Sequence, residues 1–196
     1  MNAFWKGVTA LLVIAVVVSL VTLFGGSRPV GSENLIDRPL PAFAAPLALG
    51  ELDGDANVFT EAQAEAEDAT AACDVTLPDA FNSCKELDGR AIIVFWNATK
   101  PECIEQVNVL QDVVAQNPKL NVVAVAFNNS KPDVAEVVRR QGWTLPVAVD
   151  RDGAVASLYA VTGCPSVFWS EDQSTTTVKL GTQTAKQLLE PFETNG

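Results

Sequence analysis

Apolar residues along this chain fall into three kinds of run. The first is an uncharged stretch from Gly7 to Ser27, with an apolar core from Leu11 to Phe24 interrupted only by Ser19 and Thr22. The second kind is short and of strand length: Ala91 to Trp96 (AIIVFW), Leu120 to Phe127 (LNVVAVAF) and Leu145 to Val149. Ser166 to Ser170 and Thr175 to Leu180 continue it as a hairpin around Glu171-Asp172-Gln173. The third kind has helical spacing, as in Ile104, Val107, Leu110 and Val114 after the first strand. Ser130 to Gln141 is predicted as a second helix, with Ser130 as N-cap and Gly142 ending it. Ala154 to Val161 and Ala185 to Phe192 are predicted helices too, the latter despite Pro191. Strands alternating with helices imply parallel pairing, and a closing hairpin adds an antiparallel edge. The pattern predicts an α/β fold with a mixed central sheet flanked by helices.

The Gly7–Ser27 stretch is about 20 residues, enough to cross a bilayer. A secretory signal peptide is the rival, but its apolar region is usually shorter and ends at a small-x-small site. Here the run gives way to Phe24-Gly25-Gly26-Ser27-Arg28. Residues 1–28 are therefore expected to form an uncleaved transmembrane helix. The N-terminal amine and Lys6 precede it, and Arg28, Glu33 and Asp37 follow. That bias points to a single-pass cell-membrane protein, N-in, with its folded body on the extracytoplasmic side. Residues 29–72 read as a linker and acidic segment. Pro29, Pro39, Pro41 and Pro46 bar a long helix. Thr60 to Ala72 is rich in Ala and Glu, so Thr60 is expected to cap a short, solvated acidic helix. Residues 73–196 are expected to be the folded domain.

Charge and composition remove several classes of function. The 196 residues carry 24 acidic and 13 basic side chains, a formal net charge of -11. Such a chain repels nucleic acid, and no basic cluster offsets this. With no histidine at all, Ser-His-Asp and Cys-His catalysis and His-ligated metals are excluded. The four cysteines, Cys73, Cys84, Cys103 and Cys164, contain no Cys-x-x-Cys pair, which counts against zinc ribbons and iron–sulfur sites. Neither a metal nor a cofactor is expected.

An even number of cysteines, all beyond the apolar span, fits an oxidising compartment. Cys73 and Cys84 lie close together among Pro, Asn and Asp turn residues. A local structural disulfide is the preferred reading, and a redox-active pair passing electrons to Cys103 is the alternative. Cys103 falls in the first turn of a helix that Pro101 opens at its first position. Unpaired N–H groups and the helix dipole favour a thiolate there. The competing reading is a small buried hydrophobe.

The stretch Ala91 to Leu110 resembles the active-site segment of the thioredoxin superfamily, in its membrane-tethered TlpA/ResA-like, AhpC/TSA-related branch. That branch carries a strand ending Phe-Trp-Ala-x-Trp, then Cys-x-x-Cys, then a helix. Phe95-Trp96 match the strand end and Cys103 falls on the second cysteine. Lys100 occupies the place of the first, so the motif is Lys-Pro-Glu-Cys. A second piece, Tyr159 to Phe168, is similar to the family's Tyr-x-Val-x-Gly-x-Pro-x-x-Phe, and Asp150-Arg151-Asp152-Gly153 to its Asp-x-Asp-Gly turn. Leu40 to Gly54 is more loosely similar to the branch's lead-in.

The resemblance implies a thioredoxin-like fold with an extra β-α insertion. It also implies that Pro165 is a cis-proline that docks substrate beside Trp96. Cys164 stands immediately before that proline, which would bring it near Cys103. Cys103 would then be the reactive thiol and Cys164 its resolver, with two buried, unpaired thiols as the alternative. A Cα separation well above about 7 Å would count against a bridge. Lys100 either stabilises a Cys103 thiolate or is an exposed turn lysine, and Glu102 would partly cancel its charge. Gln106 falls where relatives carry Glu, so proton transfer from that position is lost. The function implied is a membrane-anchored extracytoplasmic thiol–disulfide oxidoreductase acting on protein thiols and disulfides. A redox-inactive thioredoxin-like binding module is the main alternative. A peroxiredoxin-like peroxidase fits less well, because Thr99 is one position off that family's pattern.

Overall fold

The computed structural model describes residues 32–193. The expected membrane anchor, residues 1–28, lies outside the described residues. Among the described residues no helix is long and apolar enough to cross a membrane.

Strands β1 (Ala44–Pro46) and β2 (Ala80–Asn82) form a small antiparallel pair. The main sheet holds β3 (Ala91–Trp96), β4 (Asn121–Phe127), β5 (Val147–Asp150), β6 (Ser166–Glu171) and β7 (Ser174–Leu180), in the order β5-β4-β3-β6-β7. All six residues of β3 are buried, as a strand covered on both faces requires. It runs parallel to β4, from Ala91 opposite Asn121 to Trp96 opposite Ala126. It runs antiparallel to β6, with Ile92 opposite Trp169 and Phe95 opposite Ser166. This is the mixed sheet that the run pattern predicts.

Alternation along β3 divides the core in two. Ile92, Val94 and Trp96 face one layer, with Val107 and Leu110 of helix α3 (Pro101–Gln116) and Leu188 and Phe192 of helix α6 (Ala185–Glu193). Val134, Val137 and Val138 of helix α4 (Lys131–Gln141) complete it. Ile93 and Phe95 face the other layer, with Phe43, Phe81, Tyr159 and Phe168. There the rings of Phe95, Tyr159 and Phe168 sit with centroids 5.2 to 5.4 Å apart.

The described part of 29–72, expected as a linker, packs into this second layer within one compact unit, Gly31–Gly196. Phe43 is wholly buried, stacks on Phe81 at 5.8 Å and meets Tyr159 edge-on at 6.0 Å. The prolines do bar a long helix, but extended backbone serves a sheet edge well. Pro39 bridges to Ser174 and Leu47 to Ala148. The acidic segment behaves as expected. Helix α1 (Glu61–Glu67) starts with a Thr60–Gln63 capping box, and Ala64 is its one buried residue. Helix α2 (Ser83–Glu86) is a single turn.

Several predicted boundaries move, among them the strand predicted over Leu145 to Val149, which is β5 at Val147–Asp150. Helix α5 (Ala154–Leu158) is shorter than Ala154 to Val161, and Ala160 beyond it adopts a positive φ of 50°. In the hairpin, Glu171 pairs with Ser174, leaving a two-residue turn. Asp172 and Gln173 take φ of 49° and 65°, the left-handed pair that suits the twist of flanking strands.

Candidate active site

The polar turn after β3 is built from its own side chains. Asn97 Oδ1 accepts from Thr99 N at 3.0 Å and from Thr99 Oγ1 at 2.7 Å. Asn97 Nδ2 donates to Phe127 O at 3.1 Å, and Asn129 Oδ1 accepts from Ala98 N at 2.9 Å. The turn is thus pinned to the end of β4, so α3 must start beside Trp96. Lys100 is the N-cap residue, but its exposed side chain makes no cap hydrogen bond. Pro101 opens the helix as predicted, and Cys103 lies in the first turn with no exposed surface.

The facing loop carries a cis Cys164–Pro165 bond. Ser166 Oγ donates to Gly163 O at 2.7 Å, and Gly181 N donates to Pro165 O at 2.8 Å. Upstream, Asp150 is buried at the end of β5, and burial pushes its carboxyl above the ordinary range. Hydrogen bonds from Ala156 N at 2.8 Å and Val155 N at 3.0 Å oppose that shift and set the start of α5. Tyr159 is wholly buried and donates to Pro41 O at 2.8 Å, and burial pushes its phenol up. This bond ties the lead-in to the stretch that reaches Cys164.

These two halves meet in a disulfide. Cys103 and Cys164 are bonded, with Cα atoms 5.7 Å apart, within the range a bridge requires. The alternative of two unpaired thiols is set aside, and no cysteine is free. Cys103 is fully buried and Cys164 half-buried.

Cys73 and Cys84 are also bonded, with Cα atoms 5.4 Å apart. Asn82 Nδ2 donates to the carbonyls of Ala72, Cys73 and Val75 at 2.9 to 3.1 Å, so the loop is fixed by polar bonds as well. Cys84 O accepts from Gln173 in the β6–β7 turn at 3.4 Å. Ser170 lies opposite Ala91, at the start of β3, whereas the Cys103–Cys164 bond lies beyond its other end. The strand separates the two disulfides by roughly 17 Å at its usual rise per residue. The two bonds thus lie toward opposite ends of β3.

Two expected contact residues sit deeper than expected. Trp96 has no exposed surface, because it shares the inward face of β3 with Ile92 and Val94. Its ring meets Trp143 edge-on at 5.1 Å, and its indole N–H has no hydrogen-bond partner. Trp96 therefore packs in the layer beneath α3. Pro165 is buried as well. Gln106 shows a role that the sequence did not reveal. It is buried on the inner face of α3, where its amide donates to Gln183 O at 3.2 Å and accepts from Gln183 N. A polar residue three positions after Cys103, on the helix's apolar stripe, was the available signal. Among the described residues no cluster of His, Cys, Asp or Glu could hold a metal ion.

Known proteins extend this picture. No curated protein matches the chain. Solved structures do. A DsbF homologue from Corynebacterium diphtheriae is 16% identical, with a TM-score of 0.60, over 80% of this chain and 86% of that one. A thioredoxin family thiol:disulfide interchange protein from Chlorobium tepidum is 16% identical, with a TM-score of 0.57, over 80% and 94%. A secreted Mycobacterium tuberculosis disulfide oxidoreductase homologous to Escherichia coli DsbE is 19% identical, with a TM-score of 0.53, over 59% and 88%. At such identities the likeness carries the fold, which is thioredoxin-like. The AhpC/TSA family model matches residues 61–178, from α1 through the cis-proline loop into β7. The two halves of the site thus fall inside one family match on one fold, and this chain belongs to the AhpC/TSA family.

Proposed function

We propose that this protein is a thiol–disulfide oxidoreductase whose redox pair is Cys103 and Cys164. The observation that carries this reading is their disulfide, which joins the first turn of α3 to the residue before the cis-proline. It supplies two exchangeable sulfurs where the motif, with Lys100 in the first-cysteine place, has one. Thiol–disulfide exchange needs no more than an attacking thiolate, a mixed disulfide and a resolving thiol. The solved relatives described as disulfide oxidoreductases and interchange proteins support the class. The substrates are protein thiols and disulfides.

The proposed setting is extracytoplasmic, with residues 1–28 as a single-pass N-in membrane anchor and a folded domain outside. The uncharged Gly7–Ser27 stretch and two intact disulfides support it.

The test is reduction of insulin by the full-length chain with dithiothreitol as electron donor. Turnover above background is expected, with Cys103→Ser and Cys164→Ser each reducing it to background. No turnover in the wild type would favour a second reading, a redox-inactive binding module. The exposed Lys100 at the place of the attacking cysteine favours that reading.

A further inference from the structure

We infer that Cys164, not Cys103, is the sulfur that meets the partner, and that Cys103 is the resolving and leaving sulfur. The inference rests on the oxidoreductase reading above and reverses the roles expected from the sequence, in which Cys103 is the reactive thiol and Cys164 its resolver.

A thiolate attacks a disulfide in line, from behind the sulfur it bonds to, so access decides which sulfur is attacked. Cys103 has no exposed surface and packs in the core layer that holds Trp96 and Val107. No partner sulfur reaches it without opening α3 away from the sheet. Cys164 packs against the edge of the same layer but is only half-buried, so part of the residue stays accessible. Thr162 is exposed, and Gly163 places no side chain beside the bond. A Cβ at Gly163 would meet Leu180 Cδ1, at 3.6 Å, and nothing nearer. Leu180 itself is 65% exposed. The approach to Cys164 is therefore bordered by small or exposed groups.

The leaving side is arranged oppositely. A thiol leaves faster as its thiolate becomes more stable. Cys103 sits in the first turn of the 16-residue α3, where the dipole's positive end offsets part of the cost of burying a thiolate. Lys100 adds positive charge at that helix end, and Glu102 opposes it.

In the reductive direction, the Cys164 thiolate attacks one sulfur of a partner disulfide. A bond forms to Cys164, and the partner's other sulfur leaves as a thiolate and takes a proton. The Cys103 thiolate then attacks Cys164 Sγ, which closes the Cys103–Cys164 bond and releases the partner's second sulfur. Two electrons pass from the protein's thiols to the partner's disulfide, and the two thiol protons end on the partner. A dithiol reverses the sequence by attacking Cys164 Sγ, with Cys103 leaving.

The experiment compares full-length Cys103→Ser and Cys164→Ser, with Cys73–Cys84 intact, in their rate of mixed-disulfide formation with oxidised glutathione. Cys164 in Cys103→Ser is expected to react about tenfold or more faster than Cys103 in Cys164→Ser, because a buried thiol reacts only through local opening. Wild-type protein, reduced briefly and treated with limiting iodoacetamide, supplies a readout independent of either variant's folding. Mass spectrometry is expected to find Cys164 alkylated first. Alkylation of Cys103 first, or of both equally, in a protein that still reduces insulin overturns the role assignment alone. Failure of dithiothreitol to reduce the wild-type bond, or of the reduced pair to reduce insulin, overturns the oxidoreductase reading and this inference together.

Discussion

The Cα atoms of Cys103 and Cys164 lie 5.7 Å apart although 61 positions separate them in the chain. One sulfur belongs to a helix start and the other to a loop on the far side of two strands and two further helices. Each partner is held by bonds that do not involve sulfur. The β3–α3 turn is pinned to Phe127 and Asn129, and the Cys164 loop to Gly181. The scaffold thus contributes bonds of its own to holding each half of the site, besides the disulfide.

Removing the other disulfide separates structure from chemistry. Cys73→Ser/Cys84→Ser opens a loop of sequence separation 11 at the opposite end of β3. Loop-closure entropy predicts a loss of roughly 3 kcal/mol. Denaturant unfolding is expected to show that loss while insulin reduction by the folded variant persists. Abolished turnover in a folded variant would return Cys73 and Cys84 to the redox path.

Gln106 is predicted to be a structural clamp. Gln106→Leu leaves the backbone N–H and C=O of Gln183 without their buried partner, a cost of roughly 2 kcal/mol. Gln106→Glu is predicted to depend on pH. A protonated carboxyl can replace both amide bonds, whereas an ionised one is buried and cannot donate to Gln183 O. Its folded pKa is thus raised, so stability is retained below the ordinary value, about 4.3, and falls as pH rises above it. A flat pH profile for this variant's unfolding midpoint would refute the clamp.

Asp150 carries the same sign in the wild type. Burial raises its folded pKa above the ordinary 3.8. Between the unfolded and folded values the native state holds more protons, so stability falls as pH rises through that window. Above it the loss is constant. Asp150→Asn is expected to remove this component of the pH slope. It should also cost stability, because its amide nitrogen cannot accept the bond from Val155 N or Ala156 N. An unaltered slope in the variant would assign it to other carboxylates.

Leu180, exposed beside Gly163, is predicted to contact protein partners. Leu180→Glu is expected to raise KM for insulin and leave its kcat unchanged, with reaction toward oxidised glutathione unaltered. Equal effects on both substrates would point to a disturbed Cys164 loop instead.

Much of the fold was legible because its signals are local. Strand length, helical spacing and the turn chemistry of Ser130, Gly142 and Pro101 depend on neighbours within a few residues, and those elements appear where the pattern puts them. The lead-in was harder. Phe43 and Ala45 occupy a Pro-rich stretch without periodicity, and their burial depends on Phe81 and Tyr159, far along the chain. Trp96 reads as a motif residue, but its depth follows from the parity of β3 and the layer that α3 and α6 place over it. Gln106 and Gln183 show nothing in sequence to mark them as partners.

By itself, the sequence determined the chemistry available to this protein. It has four cysteines, no histidine, an acidic surface and an α/β rhythm ending in a hairpin. Tertiary structure alone decided which cysteines are bonded and how deeply each of them is buried. Pairing is a matter of distance between elements 61 positions apart, and exposure a matter of what packs over each one. No local pattern encodes either quantity, because both arise only when the sheet brings the start of α3 against the loop before β6.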